Sequence, residues 1–141
     1  MSDEVQINPL DFNPNIAIGI QLPLTNDKSN VFNQTFTTTD QIKYNLKNLL
    51  LTEPGERIML TDYGCGLRKK LFEQQNPNLQ NEIDNLIRTA IQTWMPYINV
   101  RTIQFNLTED HFVQIKIAYS TAMDPKNLQI LLLEPNVKMI L

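Results

Sequence analysis

The sequence predicts an α+β fold, an antiparallel β-sheet with about three α-helices packed on one face, in a single domain. Two observations carry that expectation. Between residues 38 and 94 the apolar side chains recur at helical spacing, whereas from residue 98 onward they recur at every second position. A run of helices followed by a meander of strands, rather than strict alternation of the two, places helices against an antiparallel sheet. The length agrees: 141 residues suit one domain, which at this size buries roughly two-thirds of its unfolded surface without disulfide or metal.

Taken in order, residues 1–15 carry Asn, Asp and Pro without periodicity and read as an extended N-terminal arm, leaving residues 16–141 as the α+β domain. Residues 16–22 alternate weakly as a short strand, residues 25–30 are turn material, and residues 31–37 form the return strand. The first helix begins near Thr38, with Thr38 and Gln41 spaced as a capping box and Asp40 placed for the helix dipole. Ile42, Leu46, Leu49 and Leu50 form its apolar stripe, and Pro54-Gly55 ends it. A shorter helix spans residues 64–73 and presents Leu67, Leu71 and Phe72. For the third helix Asn76 is the expected N-cap and Pro77 the first helical residue. Its stripe runs Leu79, Ile83, Leu86, Ile87, Ala90, Ile91 and Trp94, and Pro96 stops it.

The period then changes to two. Ile98 and Val100, followed by Ile103, Phe105 and Leu107, alternate with one slip, which predicts a bulge near Arg101-Thr102. Glu109-Asp110 makes a turn. Val113, Ile115, Ile117 and Tyr119 alternate with Gln114, Lys116 and Ala118 as a half-buried antiparallel strand. Asp124-Pro125 makes the next turn, and residues 128–133 the last strand.

The composition excludes several classes of function. A hydrophobic share of 42%, a charged share of 19% and a net charge of −3 describe an ordinary globular chain. The one basic run, Arg68-Lys69-Lys70, is a solvated helix face rather than a phosphate track, so no nucleic-acid partner is expected. No apolar run approaches the length of a membrane span. The acidic start, Met1-Ser2-Asp3-Glu4, lacks a signal-peptide pattern, so the chain is expected to start in the cytoplasm. Cys65 is the sole cysteine and His111 the sole histidine. Neither sits at metal-ligand spacing or in a nucleophile motif, and Gly64-Cys65-Gly66 is not a phosphate loop. No metal, cofactor or small-molecule substrate is expected. Glu53, Glu56, Asp62 and Glu73 supply the only route to catalysis, that of a glycosidase with paired carboxylates about 5–9.5 Å apart. Four acids in such a window also suit solvated loops and helix ends.

The most distinctive segment runs Leu51-Thr52-Glu53-Pro54-Gly55-Glu56-Arg57, then Asp62-Tyr63-Gly64-Cys65, then Leu71-Phe72-Glu73. Pro54-Gly55 is a turn dipeptide in which Gly55 supplies positive φ, and the adjacent Glu56 and Arg57 suit a local ion pair. Gly64 and Gly66 indicate close approach of the backbone to another element. This pattern, with an amphipathic helix and strands after it, resembles the baseplate wedge and sheath-initiator family of contractile-tailed phages, which has relatives in type VI secretion baseplates. The resemblance covers about residues 36–135. It implies a non-enzymatic subunit of the virion tail baseplate, assembled in the host cytoplasm. Its implied partners are other baseplate wedge and hub proteins and the tail sheath protein, with sheath assembly initiated by β-strand addition.

One departure stands out. Where family members often carry Glu-Pro-Arg after the third helix for docking to a neighbouring wedge subunit, this chain has Met95-Pro96-Tyr97. Trp94, Met95, Pro96 and Tyr97 then suit an apolar anchor, with Trp94 alternatively the buried end of the helix. The turn Pro54, Gly55, Glu56 and Arg57 is a second candidate contact. The last strand is the third. Leu128, Ile130 and Leu132 lie in a run without charge until Glu134, so the strand is either central or covered by a partner. An acceptor edge for strand addition is expected within residues 98–133. Two alternatives outside the structural class remain: a lysozyme-like hydrolase and an anti-adaptor-type regulatory binding module.

Overall fold

A computed structural model describes residues 9–21, 33–72 and 77–135. The chain is α+β and divides into two compact units, Met1–Asn48 and Leu49–Leu141, with the division falling inside the first helix. The expected turn at residues 25–30 lies outside the described residues, as does most of the arm before Pro9.

In the first unit a 3-10 turn, Pro9–Phe12, precedes two short antiparallel strands, β1 (Gly19–Ile20) and β2 (Gln34–Thr35). The strands are shorter than the pattern predicts, and among the described residues the pairing is extended by bonds from Ile18 N–H to the Thr35 carbonyl and from Gln21 N–H to the Asn33 carbonyl, both 2.8 Å. Helix α1 (Thr38–Leu51) begins where the sequence places it, but its cap is shifted by one residue. Thr37 is the capping residue: its Oγ1 accepts the Asp40 N–H at 3.3 Å and donates to the Asp40 carboxylate at 2.8 Å. Gln41, the expected partner in the box, instead accepts from the Thr35 hydroxyl and donates to Asn45. The Asp11 carboxylate occupies the helix start, accepting from the Thr38 N–H at 2.9 Å and its hydroxyl at 2.8 Å. Three adjacent threonines make every one of them a plausible cap by sequence; the long-range bond to Asp11 decides the register.

The second unit holds α2 (Leu67–Phe72), α3 (Leu79–Trp94) and a sheet of β3 (Ile98–Leu107), β4 (Val113–Thr121) and β5 (Gln129–Leu133) in the order β3-β4-β5. Helix α3 starts later than expected: Asn78 is its N-cap, without a side-chain capping bond, and Pro77 lies in the preceding turn. Asn76 is outside the described residues. Leu79, Ile83, Ile87, Ala90 and Ile91 are buried, as the stripe predicts, while Leu86 and Trp94 are half-buried. Helix α3 lies against β3 and α2 against α3, where Lys70 and Glu82 form an ion pair at 2.7 Å.

The bulge falls where the alternation slips, between Val100 and Thr102. Val113, Ile115, Ile117 and Tyr119 of β4 and Leu131 and Leu133 of β5 fill the inner face. Each fully buried Leu or Ile contributes about 1.5–3 kcal/mol relative to an exposed one, so this layer and the α3 stripe dominate the unit's stability. The turn between β3 and β4 is closed by Thr108, whose hydroxyl accepts the Phe112 N–H at 3.0 Å. His111 sits in that turn with φ of 64°, a turn residue in left-handed backbone. Phe72, expected on the apolar face of α2, is instead 73% exposed.

Candidate functional site

The segment joining α1 to α2 leaves the body of the second unit and returns to it, and the backbone closes it at two levels. At the base, Cys65 N–H donates to the Thr52 carbonyl at 2.9 Å; at the neck, Gly55 N–H donates to Thr61 at 2.7 Å. Turns inside it are held by Glu56 N–H to the Glu53 carbonyl and Tyr63 N–H to Leu60, both 3.1 Å. Gly55 has φ of 94°, the positive value that its turn calls for. Gly64 has φ of 133°, and a Cβ there would lie 2.5 Å from the Thr52 carbonyl oxygen. Only glycine lets the returning strand of the loop approach the outgoing one this closely.

Two side chains tie the loop to the helices. The Glu53 carboxylate accepts the backbone N–H of Arg68 at 2.8 Å and so serves as the cap of α2. Burial, with the Glu53 charge adding to it, pushes the buried Cys65 thiol up to about 12, so it stays neutral. Arg57 does not pair with Glu56. Its guanidinium lies 4.2 Å from the centre of the Tyr63 ring, a cation–π contact. Tyr63 in turn meets Trp94 edge to face, with ring centres 5.1 Å apart and planes at 67°. The hydroxyl of neighbouring Tyr97 has its pKa raised, first by burial and then by Tyr63.

This geometry brings two of the candidate contacts together, since Arg57 of the turn reaches Trp94 of the α3 end through Tyr63. Within the second of them Met95 is buried, its N–H bonded to Ile91 at 2.7 Å, so it is core and not an exposed anchor. The half-buried Trp94 and the exposed Pro96 and Tyr97 remain at the surface. For the third candidate, β5 pairs with β4 alone among the described residues and so lies at the edge of the three-stranded sheet they form. Leu131 and Leu133 face inward, while Leu128, Ile130 and Leu132 are 55%, 53% and 48% exposed.

The sequence reading missed the tip of the loop. Ile58 and Met59 are 92% and 93% exposed, and Leu60 is 49% exposed. Three consecutive apolar residues read as a buried segment by pattern alone; the signal against it was the turn chemistry on both sides. Among the described residues no group of three or more His, Cys, Asp and Glu could hold a metal ion. No described helix is long and apolar enough to cross a membrane.

The fold is shared with solved components of tail-like particles. It matches a crystal structure described as a tail lysozyme from Geobacter sulfurreducens (TM-score 0.60, 23% identical, covering 70% of this chain and 91% of that one). It matches the anti-feeding prophage baseplate (TM-score 0.53, 23% identical, 83% and 84% covered) and the post-contraction pyocin R2 baseplate (TM-score 0.51, 20% identical, 57% and 82% covered). These likenesses define the class by fold alone, a small α+β domain. The sequence goes further: residues 37–126 match the family model of baseplate wedge protein gp25. The chain is also 24% identical over 89 residues to baseplate wedge protein gp25 of Enterobacteria phage T4, covering 62% of this chain and 67% of that protein. The chain belongs to the gp25 baseplate wedge protein family.

Proposed function

We propose that this protein is a non-enzymatic subunit of a contractile tail baseplate that joins wedge proteins around the hub and starts the sheath by accepting a strand from a sheath subunit. The observation that carries the sheath role is the pair of unlike sheet edges. Edge strand β3 is blunted, with a bulge between Val100 and Thr102, an exposed Arg101 and Arg88 bonded to the Val100 carbonyl at 3.2 Å. Edge strand β5 has no charged residue and carries Ile130 and Leu132 outward. Strand addition suits it, because backbone hydrogen bonds supply affinity while alternate side chains fix the register. The wedge contacts are assigned to the Pro54-Gly55-Glu56-Arg57 turn with Trp94, Pro96 and Tyr97.

Of the four candidate carboxylates Glu73 lies outside the described residues, and the other three give catalysis no support. Glu53 is occupied as a helix cap, and Glu56 and Asp62 are exposed on the loop. A concavity of about 660 Å³ between α3 and β3 is lined by Arg88, Gln92, Asn99, Arg101 and apolar residues, without an acid. A glycosidase needs a carboxylate pair in such a cleft; a smaller concavity of about 310 Å³ is lined by Asp110 and Glu134 but holds none of the loop acids. Purified protein should leave peptidoglycan intact; turnover lost on Glu53→Gln or Glu56→Gln would establish the hydrolase instead.

The sheath role is tested with Ile130→Lys/Leu132→Lys, which places the edge-blunting residue on β5 while keeping Leu131 and Leu133 in the core. The variant should fold, enter baseplates and fail to start sheath. Full-length sheath on baseplates carrying it would refute the role of β5.

A further inference from the structure

Ile58 and Met59 are the most exposed large apolar side chains among the described residues, and the loop that carries them is braced rather than slack. The Gly55–Thr61 bond closes its neck, the Cys65–Thr52 bond its base, and Arg57 on Tyr63 on Trp94 props one side. A braced loop has already lost much of the conformational entropy that docking would otherwise cost. Apolar side chains held at a protruding tip in this way mark a contact surface. The charges around the tip specify its partner. Arg57 keeps its charge while stacked on Tyr63 and is exposed as well, so with the exposed Glu56 and Asp62 flanking the neck the collar behind the apolar point carries two negative charges against one positive.

We propose that the tip Ile58-Met59-Leu60 inserts into an apolar pocket with a Lys/Arg rim on a neighbouring protein of the baseplate. The proposal rests on the baseplate reading and adds to it the chemistry of the contact. The net negative collar favours a basic rim, because carboxylates facing a neutral or acidic surface would lose water without gaining a partner. The same collar disfavours an anionic membrane surface, which an inserting loop would need positive charge to approach. Met59, unbranched and polarisable, adapts to an irregular pocket, and Ile58 supplies a fixed shape beside it. Three side chains fall well short of the roughly 1,200 Å² that a stable protein interface buries. The tip is thus one anchor within a wider contact, and its loss should weaken incorporation without abolishing it.

The test uses Met59→Cys in the otherwise unchanged chain, labelled with a maleimide in the free subunit and in assembled particles. Cys65 is buried and stays silent, so the label reports position 59 alone. Labelling in particles should slow at least ten-fold. In a competition for incorporation against the unaltered chain, Glu56→Lys/Asp62→Lys should be at least ten-fold disfavoured, and Glu56→Gln/Asp62→Asn disfavoured less. Equal labelling in particle and free subunit, with the subunit present in the particle, overturns the docking of the tip. Protection of position 59 with no penalty for charge reversal overturns the basic rim. Sedimentation of the free subunit with vesicles of phosphatidylserine and phosphatidylcholine, lost in Ile58→Ser/Met59→Ser, would assign the tip to a membrane and overturn the protein pocket. Absence of the subunit from particles defeats the baseplate reading itself, and the inference with it.

Discussion

Replacing Gly64 with alanine should cost this protein roughly 3 kcal/mol or more, and the structure itemises why. The φ of 133° lies in a region that side-chain-bearing residues hold at about 1–3 kcal/mol. The new Cβ would stand 2.5 Å from the Thr52 carbonyl oxygen and 2.9 Å from Glu53 C and Pro54 N, all backbone atoms that cannot rotate away. Relief by backbone movement weakens the 2.9 Å bond from Cys65 N–H to the Thr52 carbonyl, worth about 1 kcal/mol. Gly55 is the internal control. Its φ of 94° carries conformational strain, but its Cβ would meet open space, so Gly55→Ala should cost only about 1–2 kcal/mol. Urea unfolding followed by the fluorescence of Trp94, the one tryptophan, reads both. With an m-value of about 2 kcal/mol/M, Gly64→Ala should lower the midpoint by roughly 1.5 M or more and Gly55→Ala by about 0.5–1 M. A Gly64→Ala midpoint indistinguishable from the unaltered protein, or a Gly55→Ala cost equal to that of Gly64→Ala, would refute the close-approach argument.

Three further outcomes are expected. A double-mutant cycle of Arg57→Ala and Tyr63→Leu should return a coupling of about 0.5–1 kcal/mol by urea unfolding, since the guanidinium stacks on that ring; no coupling would mean that the loop is braced by its backbone alone. Glu53→Ala should cost about 1 kcal/mol by removing the cap of α2, while Glu53→Gln, which keeps an acceptor for Arg68 N–H, should cost less; equal costs would point to the charge rather than the hydrogen bond. Cys65 makes stability depend on alkaline pH. Its thiol is raised from 9.0 to about 12 by burial and by Glu53, so its contribution is complete below pH 9 and is lost as pH rises to 12, by up to about 1.4 kcal/mol per pH unit. Cys65→Ala should flatten the stability profile over that window, and an unchanged slope would show that the thiol is not the group responsible.

Local pattern alone determined the existence and order of the main helices and of the three C-terminal strands, and most of their faces. The stripe of α3, the bulge at Val100/Thr102 and the alternation of β4 were legible because side-chain direction repeats with the backbone period, which neighbouring residues settle among themselves. The positive φ of Gly55 was legible for the same reason, as turn chemistry spans only four residues. Pattern could not order the strands, because pairing joins residues far apart in sequence, and residues 128–133 read equally well as centre or edge. Nor could it choose Thr37 over Thr38 as cap, a choice made by Asp11 from 27 residues away. It could not separate Met95, which is buried, from Ile58 and Met59, which stand in solvent. An apolar side chain has the same transfer free energy wherever it sits. Whether that free energy is realised in the core or held in reserve at a surface depends on which other element covers it, and only the tertiary structure decides that.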